Sequence, residues 1–203
     1  MQRIDENPFA TRFTRPGYRF VEPDDTSGVE SLAVRFLRDG QCGQIVGPHG
    51  CGKTSLVYAM TRSLQTAFRE IQFLVIRRQG WLGFRSEKIA GLHGSGDSDL
   101  LVVDGVETLS PIQRWCLVGS CRYRNCGLLL TSHQELLGVP ILKKLMPSFS
   151  HFEQIVEHLT RSEHATVQSS SVREAYDRND GNYREGLMFL YDEFQQQLLA
   201  TTG

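Results

Sequence analysis

The stretch Gln44-Ile45-Val46-Gly47-Pro48-His49-Gly50-Cys51-Gly52-Lys53-Thr54-Ser55 decides the fold. Residues 47–54 satisfy G-x-x-x-x-G-K-[ST] at every fixed position, a match that arises by chance in about one chain per hundred of this length. A short apolar strand runs into the motif, and Ser55-Leu56-Val57-Tyr58-Ala59-Met60 continues from it as a helix. That order marks a phosphate-binding P-loop. Gly47, Gly50 and Gly52 let the backbone curl into a nest of inward N–H groups, and the helix behind adds its positive end. Lys53 is expected to bridge the β- and γ-phosphates and Thr54 to ligate Mg²⁺. The expected nucleotide-binding set is therefore Gly47, Pro48, His49, Gly50, Cys51, Gly52, Lys53, Thr54 and Ser55. His49 and Cys51 fill variable positions; Cys51 is either filler or an unusually acidic thiol at a helix N-terminus.

Outward from the loop, the chain reads as alternating strands and helices. Short apolar runs occur at Gln41–Val46, Ile71–Arg77, Leu100–Asp104, Gly127–Thr131 and His151–His158. Helical periodicity falls at Ser27–Arg38, Thr54–Phe68 and Pro111–Arg122. This predicts an α/β P-loop NTPase sandwich of three layers around a central parallel five-stranded sheet, with a short C-terminal helical extension. The expected divisions are an extended N-terminal arm over 1–26, a nucleotide-binding domain over 27–159 and a reduced helical lid over 160–203. The glycine-rich stretch 80–99 reads as a surface loop, and the polar run Thr160–Ser171 as a connection to helices at Val172–Arg178 and Asn182–Leu199.

The 203 residues suffice for a buried core without disulfides or a structural metal. Lys+Arg 22 against Asp+Glu 23 leaves a net charge of −1, which supplies no electrostatic pull toward nucleic acid. With no apolar run of membrane-spanning length and no signal-like start, the expectation is a cytoplasmic protein with no membrane association. Cysteines at 42, 51, 116, 121 and 126 form no C-x-x-C pair. The last three, five residues apart, do not share a face of a continuous helix, so reduced and mostly buried thiols are expected rather than a metal site.

A second motif is Asp99-Leu100-Leu101-Val102-Val103-Asp104. Its apolar run ends in an acid that a buried strand delivers to the sheet's carboxyl edge, making Asp104 the second candidate Mg²⁺ ligand. Glu107, three positions on, is either the general base that positions water or a plain helix-start glutamate.

With these motifs the chain resembles the additional-strand class of P-loop ATPases, and within it the AAA+ ATPases, especially initiator-like and small stand-alone bacterial members. The resemblance implies that a strand intervenes between the P-loop strand and the Asp104 strand. It implies that Gly127–Thr131 ends in a γ-phosphate sensor at Thr131, Ser132 or His133. It also implies that Gly181-Asn182-Tyr183-Arg184 opens a lid helix whose Arg184 reaches the phosphates; the alternative for Arg184 is a solvated first-turn arginine. By the same resemblance Asn7-Pro8-Phe9 and Phe20 or Val21 flank adenine. Two departures stand out: Gly105, not Glu, follows Asp104, and Gln134–Ser150 contains no arginine to complete a neighbour's site, leaving Arg122 and Arg124 as substitutes.

The function these residues imply is Mg²⁺-dependent ATP binding and hydrolysis, or an ATP-driven conformational switch. The partners expected are the nucleotide and a second protein or a second copy of the chain. Nucleic acid has no support from charge. GTP is disfavoured because Thr131-Ser132-His133-Gln134 stands where N-K-x-D is needed. The alternatives are a kinase using Arg77, Arg78 and Arg85 around the 80–99 loop, and a nucleotide-binding partner protein that does not hydrolyse.

Overall fold

β1 (Cys42–Val46), β2 (Glu70–Val75), β3 (Asp99–Asp104), β4 (Gly127–Ser132) and β5 (Ile141–Lys144) pair in parallel in the order β2-β3-β4-β1-β5. The computed structural model describes residues 7–14, 21, 28–76, 99–162 and 167–202. Phe20, Arg77, Arg78, Arg85 and the glycine-rich segment up to residue 98 lie outside them. Helices α2 (Val29–Arg38), α3 (Lys53–Leu64) and α4 (Pro111–Tyr123) accompany the sheet, after a one-turn α1 (Thr11–Thr14) in the arm. The architecture is the expected α/β P-loop NTPase-like fold, with β4 as the strand between β1 and β3.

Burial follows strand position. The two central strands are apolar on both faces, and Leu100, Val103, Leu129 and Leu130 are wholly inaccessible. α4 lays Leu117 and Cys121 on one side, packing with Leu101, Val103, Leu128 and Leu130. Its start is well specified: Ser110 caps the helix, its hydroxyl accepting from Gln113 N while Gln113 Oε1 accepts from Ser110 N, and Pro111 occupies the first turn.

The fifth strand is not where the alternation at His151–His158 places it. That segment lies in α5 (Phe149–Ser162), because Phe152, Val156 and Leu159 recur at helical spacing and are buried together. β5 is Ile141–Lys144, an edge strand that buries only Leu142 and carries Lys143-Lys144, so no apolar run advertises it. A buried amide ties down the loop before it. Gln44 Nε2 donates to the carbonyls of Leu136 (2.9 Å) and Val139 (2.8 Å), and Gln44 Oε1 accepts from Leu136 N (2.9 Å).

The chain divides into two compact units, residues 27–47 with 57–144, and residues 1–26 with 48–56 and 145–203. Residues 159 and 160, either side of the expected boundary, lie within α5. α6 (Ser169–Arg178) and α7 (Tyr183–Thr202) complete the second, helical unit. Thr160–Ser162 and Ser169–Ser171, expected in the polar connection, are helical. Within this unit Phe152 stacks on Tyr183 at 5.6 Å, and the Tyr183 hydroxyl accepts from Ser148 N at 2.9 Å. The arm is not simply extended: besides α1, Asn7 Nδ2 donates to Tyr191 O at 3.1 Å and Phe9 packs edge-on against Phe194. No described helix is long and apolar enough to cross a membrane.

Replacing Gln44 by Met keeps the volume but takes the side-chain partner from Leu136 N and Val139 O, while Leu136 O keeps Val139 N at 3.4 Å. At about 1–3 kcal/mol for a buried unsatisfied group, urea denaturation should show a loss of at least that size. An unchanged midpoint would show that Gln44 is not what holds the β5 connection.

Candidate active site

The P-loop is built as its glycines predict. Gly50 and Gly52 sit at φ 71° and 92°, the left-handed region where side-chain-bearing residues are strained, and α3 begins at Lys53. Lys53 is buried at 8% exposure and its Nζ donates to Pro48 O at 2.7 Å, so the ammonium lies across the loop's own backbone. Thr54 and Ser55 are half-buried in the first turn, whereas Pro48 and His49 are exposed. Cys51 is buried, and burial pushes its thiol up, with the Lys53 charge and two backbone N–H groups opposing; the acidic-thiol alternative is overturned.

In the same unit Asn182 meets the loop. A Cβ at Gly50 would lie 1.7 Å from Asn182 Oδ1, so only glycine allows the approach. The same Oδ1 accepts from Arg184 N (3.1 Å) and Glu185 N (3.3 Å), capping α7. One side chain thus serves helix start and P-loop contact together. Sequence reasoning singled out Arg184 and passed over Asn182, although an Asn immediately before a helix is a visible cap signal. Arg184 itself is exposed in the first turn. Asn7 and Phe9, expected near adenine, are buried in the packing of the helical unit, and Val21 O pairs with His151 Nε2 at 2.9 Å.

In the sheet unit four of the predicted residues come together at the carboxyl edge. Register sets Asp104 beside Thr131 and Val46 beside Ser132. The Thr131 hydroxyl donates to Asp104 Oδ1 and accepts from Gly105 N at 3.3 Å. Ser132 is turned back on its own chain, donating to Gln134 O at 2.6 Å. His133 reaches sideways instead: Nδ1 lies 3.2 Å from Gly47 O and Nε2 lies 2.9 Å from Glu107 Oε1. Both ring nitrogens face oxygen acceptors. A neutral imidazole offers one N–H, so both contacts are filled only when the Glu107–His133 pair carries one further proton.

The displaced glutamate has a structural cause. Gly105 is left-handed at φ 85°, and a Cβ there would sit 2.5 Å from Ile76 O. The chain then makes one 3-10 turn, Val106–Thr108, which carries Glu107. Arg114 clamps that turn, donating from Nε to Leu109 O and from Nη2 to Glu107 O, both at 2.8 Å. Its role is tertiary and left no local signature. Glu107 Oε2 is buried with no hydrogen-bond partner among the described residues. Arg122 and Arg124 stand at the opposite, amino edge of the sheet, where Arg122 donates to Gly138 O at 3.0 Å.

Residues 44–114 match the family model of the AAA ATPases, "ATPase family associated with various cellular activities". The match spans the P-loop, Asp104 and Glu107. No match is found among curated protein sequences. Among solved structures, the fold is similar to the Walker-type ATPase paby2304 of Pyrococcus abyssi at 11% identity and a TM-score of 0.59, covering 93% of this chain and 71% of that one. PCH-2 of C. elegans aligns at 14% identity with a TM-score of 0.43, over 84% and 67% of the two chains.

Gly50→Ala should destabilise through strain and through displacement of Asn182, and Asn182→Ala through loss of the cap, which is worth about 1 kcal/mol. Because both act on one contact, the double variant should lose less than the sum of the single losses in a denaturation cycle. Strict additivity would contradict the contact.

Proposed function

We propose that the protein is a Mg²⁺-dependent ATPase of AAA+ type whose nucleotide cycle switches the conformation of its helical extension. The reading is of a soluble cytoplasmic protein, and its action on a second protein or a second copy of itself is part of the proposal. The single observation that carries it is Glu107, held through Oε1 by His133 while Oε2 is buried with no hydrogen-bond partner among the described residues. A carboxylate oxygen kept from solvent and unpaired is costly by about 1–3 kcal/mol or more, which suits a group reserved for a proton from attacking water.

The remaining roles follow from chemistry. The loop amides and Lys53 bind the β- and γ-phosphates. Thr54 and Asp104 are hard oxygen donors of the kind Mg²⁺ takes, and Asp104 is oriented by the Thr131 hydroxyl. When bound, Mg²⁺ supplies neutralisation of phosphate charge. Glu107 takes the proton of the attacking water. His133 reports on the start of the P-loop through Gly47 O and on the base through Nε2, which favours it over Ser132 as the sensing residue. Arg184 reaches the phosphates from the start of α7. The lack of an arginine in Gln134–Ser150 suits an initiator-like or small stand-alone member better than a ring-forming motor.

Phosphate release and calorimetry test this together. Lys53→Ala should abolish ATP binding. Glu107→Gln should retain binding while kcat falls about 10²-fold or more, the usual contribution of a positioned base. Unchanged kcat in Glu107→Gln would remove Glu107 from the mechanism, and absence of turnover in the wild type would leave only nucleotide binding.

A further inference from the structure

A cavity of about 260 Å³ opens in the sheet unit at the amino edge, away from the strand ends that carry Asp104 and Thr131. Three of the five cysteines line it: Cys42 at the start of β1, Cys121 in the last turn of α4, and Cys126 just before β4. On a continuous helix Cys121 and Cys126 would face different ways. The helix stops between them, however. Arg124 N donates to Ser120 O (3.1 Å), Asn125 N to Arg122 O (3.2 Å) and Cys126 N to Cys121 O (2.9 Å), with Asn125 at φ 50°. This five-residue return wraps the chain over the end of α4 and brings Cys126 back against Cys121.

Both thiols line that cavity, and each perturbs the other. Cys121 is buried in the core, and Cys126 beside it together with that burial raises it; Cys126 is half-exposed at the cavity, and its neighbour Cys121 lowers it to about 7. A backbone N–H from Leu101 and the charge of Arg124 add to that lowering, while burial and Asp99 oppose it. Protonated, Cys126 has Gly127 O as its acceptor at 3.4 Å. Cys42 and Cys51 are both raised by burial.

We propose that Cys121 and Cys126 form a redox-active dithiol, a modification site that a small hydroperoxide entering the cavity converts to a disulfide. The Cys126 thiolate attacks one peroxide oxygen, the O–O bond breaks, and the departing oxygen takes a proton to leave as alcohol or water. Cys126 is then a sulfenic acid. The Cys121 sulfur attacks the Cys126 sulfur, the S–S bond forms, the S–O bond breaks, and hydroxide leaves with the Cys121 proton as water. Two thiols lose two electrons and the peroxide gains them. The backbone bond from Cys126 N to Cys121 O draws the two residues' main chains together, the approach that a disulfide between them requires.

Trypsin cuts between the two cysteines at Arg122 and Arg124, so a non-reducing digest of hydrogen-peroxide-treated full-length protein reads the bridge directly. The expected result is an intact mass lower by two hydrogens and a covalent pair of the peptides carrying Cys121 and Cys126, unchanged in Cys116→Ser. In Cys121→Ser the sulfenic acid should persist and be trapped by dimedone on Cys126. Alkylation of Cys126 by iodoacetamide should rise through a midpoint near 7, below the value of about 8.5 for a free thiol. Cys116 and Cys121 share the tryptic peptide Trp115–Arg122, so fragmentation of the wild-type pair assigns the bridged cysteine even if a variant fails to fold. Linkage to Cys42 or Cys116 instead, or an unlinked dimedone adduct in the wild type, would overturn the proposal. So would no oxidation at peroxide levels that oxidise a free thiol.

Discussion

The parallel register of β1, β4 and β3 is the constraint on which the sheet half of the site depends. It holds Val46 level with Ser132 and Thr131 level with Asp104, so three strands end on one edge with their polar groups within reach. A one-residue slip of β3 against β4 would turn Asp104 to the other face and separate it from the Thr131 hydroxyl. The apolar interiors of β3 and β4 prevent that slip, because both faces of each strand are buried and each side chain has one fitting place.

Given that edge, the details beyond it are set by close approach. Ile76 O lies too near Gly105 for any side chain, so the residue after Asp104 cannot be an acid. The acid is carried two positions further by a 3-10 turn, pinned by Arg114 and met by His133. The chemistry of the displaced glutamate therefore depends on two side chains from different elements. In the helical unit a similar economy appears at Asn182, which is at once the cap of α7 and the neighbour of Gly50.

What could be read from sequence divides along the same physical line. The P-loop and the Asp104 strand were legible because their requirements are local: glycines at positive φ, a lysine at one position, four apolar residues before an acid. β5 was not, because an edge strand needs little apolar surface and this one bears two lysines. His151–His158 was misread because its charged residues imitated alternation while Phe152, Val156 and Leu159 kept helical spacing. Arg114, Asn182 and the pairing of Cys121 with Cys126 depend on where the chain returns. A five-residue spacing that argued against a shared face was defeated by the end of the helix. Roles of individual site residues lie one step further, since they concern a bound nucleotide.

The most direct test of the central claim is a crystal structure of the protein with Mg²⁺ and a non-hydrolysable ATP analogue. The account predicts phosphate oxygens on the backbone amides of residues 49–54, Thr54 and Asp104 in the metal's coordination sphere, and Glu107 Oε2 hydrogen-bonded to a water facing the γ-phosphate. Nucleotide bound elsewhere, or Glu107 directed away from the γ-phosphate with no water between them, would contradict it.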